Sequence, residues 1–173
     1  MMMQMLEAGG VEPMTDDVRA ADESNPRGYY ELEMVKDLEK GVDEVWLRSA
    51  RGRAVKIIAF LVRHLPENFN YKVILMDRRL DEVLASQTKM LTKLGETTET
   101  DDPRMRKLFA DSLARTKSLL TYRPCFEVLH VKYHDVIKDG RKHADELNRF
   151  LGGRLDTEAM ASVVNPELYR NRA

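Results

Sequence analysis

A chain of 173 residues has the length of one ordinary domain. Its 43% hydrophobic content supports a core and argues against a disordered chain. Lys and Arg number 28 against 29 Asp and Glu, for a net charge of -1. That balance provides no global basic field for nucleic acid and no polybasic tail for a membrane. The single cysteine, Cys125, excludes an internal disulfide framework and a four-cysteine zinc site. No apolar run approaches the roughly 20 residues that span a bilayer, and the start lacks the basic and apolar regions of a signal peptide. The composition predicts a soluble, cytoplasmic single domain over residues 1–173 with no nucleic-acid or membrane partner.

Residues 1–8 read as the end of a helix, with Met1, Met2, Met5 and Leu6 on one stripe and Gly9-Gly10 as a left-handed stop. No Ser, Thr, Asp or Asn caps its start. A frayed terminus and a missing upstream element both account for this. Residues 11–30 are polar, are broken by Pro13, Pro26 and Gly28, and read as loop. Residues 31–40 and 42–50 carry apolar residues at mixed helical spacing, among them Leu32, Val35, Leu38, Val42, Val45 and Trp46. The β-branched run 54–59 is a first strand candidate and 71–76 a second. The second runs directly into a helix over 80–94, with Leu80, Val83, Leu84, Met90, Leu91 and Leu94 on one side and Gly95 as its stop. Asp81 and Glu82 fall in its first turn, where acids favour the helix dipole.

After a polar loop at 95–102, Asp102-Pro103 is a cap followed by a proline at the first helical position. Met105, Leu108, Phe109, Leu113, Thr116 and Leu120 then predict one apolar helix face. Residues 126–133 are a third strand, 141–151 a helix ended by Gly152-Gly153, and 156–164 a last helical turn or two. Strands alternating with helices predict a parallel α/β sheet. Three strands are few for a doubly wound domain, whose first βα unit normally carries the phosphate loop. The orphan first helix and the shortage of strands point to the same expectation, an element missing ahead of Met1.

In an open parallel sheet, ligands bind at the carboxyl ends of the strands. Asp77, Arg78 and Arg79 fall at the end of strand 71–76, and Ser86 lies eight residues after Arg78, off the apolar stripe of helix 80–94. A guanidinium fork and a hydroxyl together can hold a phosphate. The same residues also suit a solvated surface.

Residues 54–90 resemble the middle of the P-loop sulfotransferase fold on the strength of this pattern. In that family a strand ends in Arg, a helix follows, and a Ser eight residues later completes a clamp on the 3′-phosphate of 3′-phosphoadenosine 5′-phosphosulfate (PAPS). Arg78 and Ser86 match in type and spacing. The whole chain, to Tyr169-Arg170-Asn171-Arg172, resembles bacterial sulfotransferase-like proteins. The resemblance implies a three-layer P-loop-type parallel sheet flanked by helices, PAPS as cosubstrate and a hydroxyl or amine acceptor. It also implies that the sequence starts just after the strand and loop that cradle the 5′-phosphosulfate, so that only the 3′ half of the nucleotide site is present and the chain as written is inactive.

The departures are specific. Lys56 falls near the family's Lys-Thr-His but no His follows it, and a one-residue shift of register decides which way it points. The family's C-terminal Arg-Lys-Gly has no clear match, with Arg170 and Arg172 as substitutes. Asn25-Pro26-Arg27-Gly28-Tyr29-Tyr30 lies where the acceptor approaches in that family. His130 and His134 straddle a strand end and lack a third metal ligand. Cys125 reads as a small buried residue rather than a nucleophile. Two other readings stay open. One is a non-catalytic fragment or pseudoenzyme. The other is a kinase-like P-loop enzyme in which Asp77 would serve magnesium.

Overall fold

Two runs of the chain become strands because each is apolar on both sides of its pleat. The computed structural model describes residues 1–16, 28–41, 44–93 and 103–165; the side chains of 86, 87 and 89–93 lie outside that description. Strand β1, Tyr71–Asp77, and strand β2, Phe126–Lys132, pair in parallel from Tyr71↔Phe126 to Asp77↔Lys132. The helices, in chain order, are α1 (Met2–Ala8), α2 (Glu33–Lys36), α3 (Glu44–Ser49), α4 (Leu80–Lys93), α5 (Pro103–Tyr122), α6 (Tyr133–Lys138), α7 (Gly140–Phe150) and α8 (Thr157–Ser162). Tighter 3₁₀ turns cover Asp37–Lys40 and Ala59–His64. α4 and α5 form the crossover that a parallel pair requires. No described helix is long and apolar enough to cross a membrane.

The period of two along each strand sorts the core into two clusters. Tyr71, Val73 and Leu75 of β1, with Phe126 and Val128 of β2, pack with Leu32, Val35, Leu38, Trp46, Leu61 and Leu120. Ile74 and Met76, with Leu129 and Val131, pack with Met5, Val136, Ala144, Leu147 and Met160. Buried Cys125 belongs to the first cluster, as its sequence context predicts.

The α/β expectation therefore holds in its coarse form, while the described sheet has two strands and is not the three-layer P-loop-type sheet that the resemblance implies. The lost candidate is 54–59. Ala54 makes an isolated parallel bridge to Pro13, through Met14 N–H donating to the Ala54 carbonyl at 2.8 Å and Ala54 N–H to Glu12 at 2.8 Å. Beyond it Val55 and Ile57 pack on the first cluster while Lys56 and Ile58 face outward, an alternation typical of extended chain. The carbonyl of Ile58 then accepts from Leu61 N–H at 2.8 Å and opens the 3₁₀ turn. β-Branching reported burial of one side correctly, but a strand also needs a ladder partner. The apolar face expected along α5 is likewise covered only in part. Thr116 and Leu120 are buried, whereas Met105 and Leu108 near its start are exposed. The proposed cap, Asp102, lies outside the described residues.

α1 stops as its two glycines predict, but they divide the work. Gly10 takes the left-handed backbone at φ 95, whereas Gly9 is right-handed at φ -78. Val11 N–H donates to Leu6 at 2.8 Å and Gly10 N–H to Glu7 at 3.0 Å, the paired closure of a Schellman motif. Gly9 is required for a different reason: a Cβ there would lie 2.7 Å from both Cγ and Sδ of Met160 in α8. Asp156 N–H, at the cap of α8, donates to the Gly9 carbonyl at 3.2 Å.

Two expected outcomes test this packing. Gly9→Ala should destabilise the fold by about 1–3 kcal/mol through overpacking; in a Met160→Ala background the same methyl should cost far less, as a double-mutant cycle in denaturant will read. The second concerns Tyr71, whose phenol donates to the Pro66 carbonyl at 2.9 Å. Burial, with smaller contributions from Cys125 and Glu44, pushes its pKa from 10.0 up to about 12. The folded state thus holds this proton more tightly than the unfolded chain. The stability it contributes is complete below about pH 10 and is lost as pH rises toward about 12. Tyrosinate absorbance should show a late ionisation near pH 12, and Tyr71→Phe should remove it.

Candidate functional site

The carboxyl ends of β1 and β2 lie side by side, and three consecutive residues leave β1 in three directions. Asp77 is the last residue of the strand. Lys117 of α5 meets its carboxylate at 2.6 Å, and His130 Nδ1 lies 3.4 Å from its other oxygen. Arg79 turns outward, with Asp81 at 3.8 Å. Arg78, between them, is folded inward. Its Nε donates to Glu82 Oε2 at 2.9 Å, and its Cζ sits 4.9 Å from the centroid of the Tyr133 ring.

Glu82 is 3% exposed, in the first turn of α4. A carboxylate so buried must be met by a cation or by several donors. The Arg78 guanidinium supplies that cation, from a side chain that is itself 27% exposed. Tyr133 opens α6 immediately after β2, which brings a residue that follows each strand into one cluster. Among the described residues, no hydrogen bond to the two terminal nitrogens of Arg78 is formed. The guanidinium is therefore held at one edge and on one face, with a two-nitrogen fork remaining, the geometry suited to a phosphate.

Arg78 thus stands where the sequence places it, at the carboxyl end of a parallel strand. Ser86 lies in α4, two turns beyond the strand end, and its side chain is outside the described residues. Lys56 is not on a strand. Its Nζ donates to the Tyr29 carbonyl at 2.9 Å and sits 3.7 Å from Glu31, so it fastens the 28–31 segment. Of the aromatic loop, Tyr30 is described: it adopts φ 52, and its hydroxyl donates to Glu7 of α1 at 2.5 Å. Residues 25–27, Arg170 and Arg172 lie outside the described residues. His134 is in α6, beside Asp135, and is not paired with His130. No group of three metal-ligating side chains forms among the described residues. Asp77, the carboxylate a kinase-like reading would assign to magnesium, is engaged by Lys117.

Glu82 and Tyr133 are the members of the cluster that sequence reasoning missed. Glu82 was legible as a dipole-favouring acid, and its spacing of four from Arg78 was the unused signal of a pair. Tyr133 falls inside the predicted strand 126–133, whereas the strand ends at Lys132 and Tyr133 opens α6. In comparisons with family models, curated proteins and solved structures, the chain matches none.

The start of α4 is pinned to α5 by Asp81, which accepts from Arg106. The hydrogen bond and charge of Arg106, more than the nearby Arg79, hold the Asp81 carboxyl below its ordinary 3.8. The depressed value means that the pair supports the fold above about pH 3.8 and releases it as pH falls through the lowered pKa. Arg106→Ala should return Asp81 to the usual carboxylate range, as read by NMR titration of its side chain.

Proposed function

We propose that the β1–α4 junction is the 3′-phosphate site of a sulfotransferase-like nucleotide-binding domain, with Arg78 and Ser86 as binding residues. The observation that carries the reading is Arg78 itself. It is a partly exposed guanidinium at the carboxyl end of a parallel strand, oriented by Glu82 and Tyr133, with its fork uncommitted among the described residues. Ser86 follows on the next helix at the spacing of the family's clamp. A terminal phosphate would take two N–H donors from the fork and one from the hydroxyl. In the corresponding reaction an acceptor oxygen or nitrogen attacks the sulfur of PAPS in line, and the bond from sulfur to the leaving phosphate breaks. Positioning and neutralisation of charge supply the catalysis. Arg78 and Ser86 bind in this scheme and move no proton. No residue of the chain is assigned to the 5′-phosphosulfate.

A second reading, a non-catalytic domain of related architecture, is favoured by one observation. The Arg78–Glu82 pair is already charge-neutral, and a pair with one buried member can serve only to fix the β1–α4 junction.

Calorimetry separates the two. The chain should bind 3′-phosphoadenosine 5′-phosphate more tightly than adenosine 5′-phosphate, and Arg78→Ala should remove most of the difference. A charge-assisted phosphate contact contributes about 1.5–3 kcal/mol, or roughly tenfold to hundredfold in affinity. Equal affinities for both nucleotides in the wild-type chain would leave the non-catalytic reading.

A further inference from the structure

We infer that Glu82 and Tyr133 are positioning residues that set the plane of the Arg78 guanidinium for a terminal phosphate dianion; this rests on the reading of Arg78 as the 3′-phosphate ligand. The first argument is which nitrogen the carboxylate engages. Glu82 meets Nε at 2.9 Å. A carboxylate seated across the two terminal nitrogens would consume the fork that phosphate needs. Held by its inner edge, the guanidinium keeps that fork.

The second argument is the ring. With Cζ 4.9 Å from the Tyr133 centroid, one face of the guanidinium is against an aromatic surface, where a cation is attracted to the ring. One fixed edge and one covered face leave the side chain little rotation. Glu82 comes from α4 and Tyr133 from the start of α6, so the plane of Arg78 is referenced to both strands rather than to its own loop.

The third argument is that competitors are drawn off. Asp77, adjacent in sequence, is occupied by Lys117 at 2.6 Å and flanked by His130 at 3.4 Å. Arg79 is directed toward Asp81, at 64% side-chain exposure. The acid and the base adjacent to Arg78 in sequence are each engaged by other groups, whereas Arg78 is held by buried Glu82.

The test separates positioning from neutralisation, because the two predict opposite signs. If Glu82 only cancels charge, its removal strengthens anion binding. If it positions, removal of the Nε acceptor weakens it. Affinities for 3′-phosphoadenosine 5′-phosphate and adenosine 5′-phosphate should be measured by calorimetry on the full chain and on Glu82→Leu, Glu82→Gln, Tyr133→Ala and Tyr133→Phe, with circular dichroism as the check of folding. Glu82→Leu and Tyr133→Ala should each lose about tenfold of the preference for the 3′-phosphate, with affinity for adenosine 5′-phosphate unchanged. Glu82→Gln keeps an acceptor and Tyr133→Phe keeps the ring, and both should retain the preference. If Glu82→Leu does not fold, the Tyr133 pair carries the decision. A wild-type preference that survives in folded Tyr133→Ala, or rises in folded Glu82→Leu, overturns the inference and leaves the assignment of Arg78 standing. Absence of any preference in the wild-type chain overturns both.

Discussion

The parallel pairing of β1 with β2 is the constraint on which the rest of the described structure depends. Because the register runs unbroken from Tyr71↔Phe126 to Asp77↔Lys132, the odd-numbered positions of β1 and the even-numbered positions of β2 share one face, and the alternate positions share the other. Each face collects its own set of helices. A slip of one residue would send Val131 and Ile74 into the wrong cluster and break both cores together. The same register brings the two strand ends level, so the residues that follow them, Arg78 and Tyr133, arrive within reach of each other.

The ion pairs at that edge illustrate how a charged cluster is kept ordered. Lys117 reaches Asp77 from α5, while Glu82 reaches Arg78 from the first turn of α4. Lys117, Asp77 and Arg78 keep part of their side chains exposed at this edge, while Glu82 is buried. Exposed pairs of this kind contribute little to stability. The pairing of Arg78 with nearly buried Glu82 differs, since loss of the cation would strand a desolvated carboxylate.

Much of the fold was legible in the sequence because its signals were local. β1, β2, α4 and α7 follow from periodicity and from glycine and proline punctuation, and each appears within a residue or two of its expected bounds. Residues 54–59 failed because an apolar alternation measures burial of side chains, whereas a strand is defined by where its backbone hydrogen bonds go. The exposed Met105 and Leu108 failed similarly, since a stripe on α5 says nothing about how far its cover extends. At the site, the position of Arg78 was readable from the strand end. Its partner Tyr133 was not, because 55 positions of chain separate the two and only strand pairing joins them.

The Gly9–Met160 contact has a consequence for how the molecule is assembled. α1 is synthesised before α8, yet the side chain that meets Gly9 at its end is Met160 of α8, 151 positions further along the chain. Met5, fully buried in the finished structure, has no apolar cover from α8 until α8 itself has been made. The first core can form as soon as β2 and α5 are available, but the second must wait for α8. Contacts of such high sequence separation slow closure and prolong exposure of sticky surface. A nascent chain therefore holds α1 without that cover while every element between α1 and α8 is being made.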